Sequence, residues 1–215
     1  VCPACGVGQE LFEAVEEEAA INIASSDSRK IVIIGSGAAG IAAAESARAR
    51  NKSAEITVIS GEKHLPYYRP SVSEYISGGI SAEKLLLKPY SWYGENGITL
   101  ILEKNVNLID IESKTITLSD DSKLLFDKLI IAAGARAAVP PILGSNMKNI
   151  FTLRTQSDAD LIRNCANKSK TAVIVGGGVL GLETASELQK MGVEVSIIER
   201  ESRIFPRQLD EEGSA

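Results

Sequence analysis

The sequence predicts an α/β fold in which a strand, a glycine turn and a helix follow one another twice. Residues 31–34 are all β-branched and apolar, which favours a buried strand, and residues 41–50 are rich in helix-forming alanine. The same order returns in residues 171–191. Each turn has the spacing G-x-G-x-x-G: Gly35, Gly37 and Gly40 in the first unit, and Gly176, Gly178 and Gly181 in the second. This repetition predicts two Rossmann-like dinucleotide-binding units.

The three glycines of such a turn have different tasks. Gly35 makes the tight turn, Gly37 lets a pyrophosphate approach the backbone, and Gly40 lets the helix pack on the strand. The free N–H groups at the start of the helix that follows face the phosphates. The alternative is that both stretches are glycine turns that bind no ligand.

Composition and charge narrow the class of protein. The chain has 215 residues, of which 44% are hydrophobic and 24% charged, as in ordinary globular proteins. A net charge of −5 without a basic cluster disfavours a nucleic-acid-binding surface. No apolar run approaches the roughly 18 residues of a membrane span, and no signal-peptide pattern opens the chain, so a cytoplasmic location is expected. The lack of an initiating Met predicts a fragment of a longer protein.

Two carboxylates are placed to bind ribose. Glu62 follows the second strand of the first unit, about 22 residues after Gly40, and Glu199 ends the matching strand of the second unit, about 18 residues after Gly181. A carboxylate at Glu199 accepts both hydroxyls of an unmodified ribose and repels a 2′-phosphate, which favours NADH over NADPH. Arg69, held between Tyr68 and Pro70, is suited to pair with a pyrophosphate.

The remaining pattern predicts further elements in chain order. Strands are predicted at residues 55–60, 98–102, 126–134 and 193–199, and a hairpin joins residues 106–111 and 115–118. Trp92 and Tyr93 are expected in the core, and His64, the only histidine, at the surface. Cys165 is expected on a helix with a structural role.

The first residues carry a Cys-x-x-Cys. Cys2 and Cys5 are spaced to place two thiolates on one metal, which is half of a tetrahedral site. With Gly6 and Phe12 they resemble the second knuckle of a rubredoxin, in which four thiolates hold one iron. The alternatives are an incidental or a zinc-binding Cys-x-x-Cys. The following residues 15–28 are acidic and polar, as expected of a linker.

From residue 29 onward the chain resembles the two-dinucleotide-binding flavoproteins of the pyridine nucleotide–disulfide oxidoreductase superfamily. The resemblance rests on both glycine turns, on Glu62, and on the stretches 66–70, 127–136, 153–158 and 176–183. Within the superfamily the chain is most similar to NADH:rubredoxin oxidoreductases and to the flavin part of assimilatory nitrite reductases. The resemblance therefore implies an FAD/NAD(P)-binding two-dinucleotide-binding-domain fold, truncated here and preceded by a partial rubredoxin-like segment.

By this resemblance the first unit binds FAD and the second binds NADH. The residues implied in FAD binding are the first glycine turn with Ala38 and Ala39, then Glu62, Arg69, Pro70, Ala133, Gly134 and Arg136. Ala133 replaces a Thr of many members, which removes one hydroxyl. The second glycine turn and Glu199 hold NADH, and Glu183 lies near the nicotinamide–flavin contact as the catalytic residue. The alternative for Glu183 is an ordinary polar helix residue.

The resemblance also implies an organisation and an activity. The domains are a partial rubredoxin-like iron segment at 1–14, a linker at 15–28, an FAD-binding part at 29–150, and an incomplete NAD-binding part at 151–215. The parent enzyme passes electrons from NADH through FAD to a rubredoxin-type iron centre or another one-electron acceptor protein, and the chain alone is expected to be inactive. The absence of Cys between Gly6 and Asn164 argues against thiol chemistry at the flavin. The alternatives are a nitrite-reductase-like or NADH-oxidase-like enzyme and a non-catalytic nucleotide-binding redox sensor.

Overall fold

The structure is a computed structural model, and it describes residues 27–205 and 208–214. Its strands are β1 (Lys30–Ile34), β2 (Glu55–Ile59), β3 (Ile98–Ile101), β4 (Val106–Asp110), β5 (Thr115–Leu118), β6 (Lys123–Leu125), β7 (Lys128–Ile131), β8 (Thr171–Val175) and β9 (Glu194–Ile198). Its helices are α1 (Ala38–Arg50), α2 (Val72–Ser77), α3 (Ala82–Leu85), α4 (Tyr90–Glu95), α5 (Gln156–Ala166) and α6 (Val179–Lys190). The predictions for Cys2, Cys5 and most of the linker concern residues outside these ranges.

A parallel sheet with the strand order β3-β2-β1-β7 forms the centre of the first unit. Helices α1 and α4 cover one face around Ile33 and Ile56, and the antiparallel sheet β4-β5-β6 covers the other face around Val32 and Ile116. Strands β2 and β3 lie on one side of β1, and β7 lies on the other side, so the order of the strands reverses at β1. Sheets of this kind bind ligands at such a reversal, outside the carboxyl ends of the strands.

The second unit consists of the parallel pair β8-β9 with α6, and it contacts the first unit through helices. Helix α2 packs on both α5 and α6. A shared core, which includes the fully buried Ile76 and Leu85 together with Ala159 and Leu188, joins these elements. The segment of the first unit that follows Pro70 therefore lies directly against the second unit.

Most predicted strands are confirmed, while several helices differ from expectation. The strands at 55–60 and 98–102 and the hairpin are confirmed with small changes at their ends, and Cys165 lies on α5 as predicted. The strand predicted at 126–134 is limited to Lys128–Ile131. Helices α1 and α6 begin before the third glycine of each turn rather than after it, because that glycine is part of the helix.

Helix α5 begins at Gln156, directly after Thr155. Thr155 caps this helix: its hydroxyl accepts a hydrogen bond from the Asp158 N–H at 3.1 Å, and the Asp158 carboxylate accepts one from the Thr155 N–H at 2.8 Å. This reciprocal pair satisfies two N–H groups that a helix start leaves without partners. Helices α2, α3 and α4 and strand β6 were not predicted from the sequence pattern.

The β8-β9 pair exposes apolar side chains. Val173 is 62% exposed, Val175 63% and Ile198 56%, all on a sheet that has two strands and two open edges among the residues the structure describes. Exposed apolar strands with unpaired edges favour association between chains. No helix in the described ranges is both long and apolar enough to span a membrane.

We predict that the 215-residue chain self-associates through this sheet. Changing Val173→Lys together with Val175→Lys should shift the chain toward monomer, because two charges on one edge strand oppose strand pairing. Light scattering at increasing protein concentration measures the association. Leu161→Lys, which replaces an exposed apolar residue on α5, is the matched control and should leave association unchanged. Equal effects of both changes would contradict the assignment of the interface to β8-β9.

Candidate functional site

The first glycine turn lies at the carboxyl end of β1, against the end of β7. Gly35 has a φ of +105°, and a Cβ placed on it would lie 2.1 Å from the carbonyl oxygen of Ala132. A Cβ on Gly40 would lie 1.9 Å from the carbonyl oxygen of Gly35. Both positions therefore require glycine for the close packing of turn, helix and strand, as predicted from the sequence.

Gly37 is different, because its surroundings are open. No other described atom lies within 4 Å of a Cβ placed on Gly37, and its φ of −68° is accessible to any residue. Gly37 is the N-cap of α1 and offers no side chain to the first N–H groups of the helix, which include those of Ala38 and Ala39. Open space in front of unpaired N–H groups fits a pyrophosphate of the kind that FAD carries.

A crevice of about 120 Å³ extends from this turn between the two sheets. Its lining comprises Ile34, Gly35, Ile59, Gly61, Lys104, Asn105, Val106 and Ala133. Ala133 thus lies beside the first turn, as the resemblance implies. Gly134 follows with a φ of +70°, and Arg136 is exposed farther along the same loop. The loop is held by Arg154, whose Nε donates to the carbonyl oxygen of Ala135 at 3.2 Å.

Glu62 is the centre of a hydrogen-bond network at the end of β2. Its Oε2 accepts a hydrogen bond from the Tyr67 hydroxyl at 2.6 Å, and its Oε1 accepts one from Arg69 Nη2 at 2.7 Å. The Tyr67 hydroxyl also accepts hydrogen bonds from Arg69 Nη1 at 2.9 Å and from the Gln156 N–H at 2.8 Å. Arg69 Nη1 donates in addition to the carbonyl oxygen of Arg154 at 2.7 Å. The network connects the end of β2 to the start of α5.

The network leaves Glu62 able to accept further hydrogen bonds. A carboxylate offers about four acceptor positions, and Tyr67 and Arg69 use one on each oxygen. Two positions remain, which suits the two hydroxyls of a ribose. The structure brings Arg69 together with Glu62 rather than with the glycine turn, and Pro70 follows in a 3-10 turn at Arg69–Ser71.

Burial and charge shift the pKa values within this network. Burial raises the pKa of Tyr67 above its ordinary range, and the hydrogen bond to Glu62 raises that pKa further. For Arg69, burial acts to lower the pKa, but the hydrogen bonds to Glu62 and Tyr67 and the charge of Glu62 act more strongly together, so the pKa is raised. Tyr67 therefore stays a neutral donor and Arg69 a cation at any physiological pH.

The second glycine turn repeats the geometry of the first. Gly176 has a φ of +113°, and a Cβ on Gly181 would lie 2.1 Å from the carbonyl oxygen of Gly176. Around Gly178, the N-cap of α6, no described atom lies within 4 Å of such a Cβ. Unlike Gly35, Gly176 has no close neighbour at such a Cβ, so the two turns share the close approach of the third glycine and the open central glycine. These shared features fit a second dinucleotide at this turn.

Glu199 lies beside the second turn. Its Oε2 accepts a hydrogen bond from the Gly177 N–H at 2.7 Å, and its Oε1 accepts one from the Glu201 N–H at 3.0 Å. These backbone donors, first that of Glu201 and then that of Gly177, hold the pKa of the Glu199 carboxyl below its ordinary value. A negative charge is therefore fixed next to the turn, at the position predicted to bind the NADH ribose.

Glu183 lies on α6, two residues after Gly181. Its Oε2 accepts a hydrogen bond at 2.9 Å from the hydroxyl of Ser73, which belongs to α2. The structure thus places Glu183 on the contact between the two units, and its role beside the nicotinamide stays a prediction.

Some residues of the site were not predicted from the sequence, and the predicted locations of three aromatic side chains were met in part. Tyr67 and Ser73 were not identified as site residues, although Tyr67 lies within the stretch 66–70 that carries the resemblance. Trp92 and Tyr93 pack in the core as predicted. His64 was expected at the surface but is mostly buried, with a side chain 21% exposed and Nε2 3.5 Å from Asp160 Oδ2.

No metal site is found in the part of the chain that the structure describes. Within residues 27–205 and 208–214, no three His, Cys, Asp or Glu side chains are grouped as metal ligands. The predicted ligands Cys2 and Cys5 lie outside this part, so the iron site stays a prediction.

Two glycine turns on parallel strands, each with a carboxylate after the following strand, are the architecture of proteins that bind two dinucleotides. The chain belongs to the pyridine nucleotide-disulphide oxidoreductase family, whose match covers residues 29–215. This match confirms the family resemblance and the α/β FAD/NAD(P)-binding fold predicted from the sequence.

The chain is similar to an oxidoreductase and to a reductase subunit. It is 40% identical over 187 residues to the NADH-rubredoxin oxidoreductase of Clostridium acetobutylicum, which covers 86% of this chain and 48% of that protein. It is 35% identical over 179 residues to the ferredoxin–NAD(+) reductase subunit of the Pseudomonas putida benzene 1,2-dioxygenase system, which covers 83% of this chain and 44% of that protein. The chain therefore spans about half the length of the curated relatives it matches.

A solved structure agrees with the fold. The crystal structure of NADH:rubredoxin oxidoreductase from Clostridium acetobutylicum superposes with a TM-score of 0.78 at 36% identity, covering 87% of this chain and 49% of that one.

Proposed function

We propose that the protein containing this chain is an FAD-dependent NADH oxidoreductase. The observation that carries the proposal is the repeated site: two glycine turns, each with an open central glycine at a helix start and a carboxylate after the next strand. The chemistry that FAD supplies when bound is to accept a hydride and to release single electrons. The chain supplies the N–H groups of α1 and α6 for two pyrophosphates and the carboxylates of Glu62 and Glu199 for two riboses.

We assign FAD to the first turn and NADH to the second. The first turn opens onto the crevice lined by Gly61 and Ala133, whereas the second carries the fixed charge of Glu199. In this assignment Arg69, Pro70, Gly134 and Arg136 lie toward the flavin, and Glu183 lies beside the nicotinamide. The helix contacts of α2 with α5 and α6 hold the two binding segments against each other.

The electron acceptor in this proposal is a rubredoxin-type iron centre or another one-electron acceptor protein. Two observations support it: the Cys-x-x-Cys at Cys2 and Cys5, and the names of relatives that act with rubredoxin or ferredoxin. The absence of Cys between Gly6 and Asn164 agrees with an acceptor other than a flavin-linked disulfide. A nitrite-reductase-like or NADH-oxidase-like enzyme and a nucleotide-binding sensor remain the competing proposals.

The test uses the full-length protein that contains this chain. We expect one FAD per chain, oxidation of NADH with a dye acceptor, and one iron per chain. Dye reduction without bound iron would favour the hypothesis of a nitrite-reductase-like or NADH-oxidase-like enzyme. Bound nucleotides without NADH turnover would favour a sensor and contradict the proposed enzyme.

We predict that Glu199→Gln weakens the preference for NADH over NADPH. The ratio of kcat/KM values for the two cofactors should fall by about tenfold, because the change removes a fixed negative charge from the place of the 2′-phosphate. Steady-state kinetics with a dye acceptor gives the ratio. Glu201→Gln, a neighbouring carboxylate paired with Arg200 at 2.7 Å, is the control and should keep the ratio. Preference for NADPH in the unchanged protein would refute this role of Glu199.

A further inference from the structure

Two hydroxyl–carboxylate hydrogen bonds join α2 to α6. The Ser73 hydroxyl donates to Glu183 Oε2 at 2.9 Å, and the Ser77 hydroxyl donates to Glu187 Oε2. The serines are four residues apart on one helix and the glutamates four residues apart on the other, so each pair of side chains shares one helix face. The contact between the two units is therefore a regular pair of polar bonds beside the apolar core of Ile76 and Leu188.

The two bonds differ in their surroundings. Glu187 is buried, and its other oxygen pairs with Lys190 Nζ at 2.6 Å, so its charge is neutralised within α6. The ion pairs of the described residues do not include Glu183. Glu183 is exposed, and the described partner of its carboxylate is Ser73. One carboxylate is thus enclosed in the interface, whereas the other keeps acceptor positions for a ligand.

Ser73 is suited to fix a flexible carboxylate. It is 4% exposed, and a buried hydroxyl needs a hydrogen-bond partner, which the Glu183 carboxylate provides. Glu183 has three rotatable side-chain bonds, and a charge-assisted bond to a buried donor selects among their conformations. Ser73 also follows Arg69 and Pro70 by only a few residues, so its position depends on the segment assigned to the flavin side.

We propose that Ser73 is a positioning residue that holds the Glu183 carboxylate for hydride transfer between NADH and FAD. The inference rests on the proposed function, in which Glu183 lies beside the nicotinamide. Ser73 exchanges neither a proton nor an electron with the cofactors. Its role is to keep one oxygen of Glu183 bound to α2 and thereby to set the direction of the other.

The first test is made on the flavin-free full-length protein and does not depend on activity. With ¹³C-labelled glutamate side chains, the carboxyl resonance of Glu183 is identified by its loss in Glu183→Gln. We expect Ser73→Ala to shift this resonance, because the hydrogen bond to the carboxylate is lost. Ser77→Ala breaks the neighbouring bond of the same interface and should leave the resonance in place. No shift in Ser73→Ala, or an equal shift in Ser77→Ala, would overturn the proposal.

The second test measures flavin reduction by NADH in the anaerobic stopped-flow instrument. Ser73→Ala should lower the limiting rate about tenfold and leave the apparent Kd for NADH within about twofold, as expected for a group that acts on the reacting geometry. Ser77→Ala should retain the wild-type rate. In a Glu183→Gln background Ser73→Ala should not lower the rate further, since the effects of two changes that act through one contact are not additive. If Ser73→Ala does not fold, Ser73→Cys, which keeps the size but is a weak donor, takes its place.

The outcomes separate this inference from the proposed function. If Glu183→Gln lowers the limiting rate of flavin reduction and Ser73→Ala does not, only the role of Ser73 is overturned. A wild-type rate in Glu183→Gln would overturn the role of Glu183 in the proposed function, and the role of Ser73 with it. Additive losses in the double variant would show that Ser73 does not act through Glu183 and would also overturn the inference.

Discussion

Gly37→Val should release FAD from the full-length protein while the protein stays folded. The Cβ of the new side chain would lie in the open space at the N-cap of α1, where no described atom other than those of its chain neighbours lies within 4 Å, so we expect the fold to be kept. The side chain would instead exclude the pyrophosphate from the first N–H groups of the helix. Hydrogen bonds to charged groups contribute about 1.5–3 kcal/mol each, so we expect FAD affinity to fall by about a hundredfold or more. Flavin content after gel filtration and titration of the apoprotein with FAD measure this.

The matched change in the second turn is Gly178→Val, which enters an equally open space at the N-cap of α6. This variant should keep its FAD and lose NADH binding. Gly40→Val provides the structural contrast, because its side chain would meet the Gly35 carbonyl oxygen and destabilise the fold itself. Loss of FAD in Gly178→Val with retention in Gly37→Val would contradict the assignment of the two turns.

Cys2→Ser or Cys5→Ser should abolish electron delivery to iron in the full-length protein without affecting flavin reduction by NADH. The reason is that a tetrahedral thiolate site needs four ligands, and the spacing of Cys2 and Cys5 supplies two of them. Iron analysis should show loss or weak binding of the metal, and reduction of an acceptor through the iron should fall to background.

Cys165→Ser is the control for these changes. Cys165 lies on α5, where its carbonyl oxygen accepts a hydrogen bond from the Ser169 hydroxyl, and it is assigned a structural role. This variant should retain iron and both activities. A normal iron centre in Cys2→Ser and Cys5→Ser, or failure of flavin reduction together with iron loss, would contradict the rubredoxin assignment of residues 1–14.

The features that the sequence predicted correctly are those that depend on neighbours along the chain. Gly35 and Gly40 must be glycine because each lies close to backbone atoms of another segment. The G-x-G-x-x-G motif indicates this requirement from a few neighbouring residues. The central parallel strands are mostly apolar, since both faces of the sheet are covered. The Thr155–Asp158 cap was also present in the sequence, and its capping-box spacing was the available signal for the start of α5.

The contacts that the sequence did not reveal join residues far apart in the chain. Tyr67 donates to Glu62 and accepts from Gln156, which lies 89 residues away. Ser73 and Glu183 are separated by 110 residues. Such contacts depend on how α2 packs against α5 and α6, and no local periodicity encodes this packing. The short helices α2 to α4 were missed for a related reason, because four to six residues are too few for a 3.6-residue pattern to be recognised.

The central claim is that two dinucleotides bind in series and that hydride passes from the second site to the first. Anaerobic titration of the FAD-loaded full-length protein with NADH tests it most directly, with the flavin absorbance as the readout. In the Cys2→Ser background, which removes the iron as a second electron acceptor, we predict complete bleaching of the bound flavin at one NADH per FAD. Adding Gly178→Val to this background should abolish the bleaching at the same concentrations. Tight binding of NADH that leaves the flavin oxidised would contradict the account.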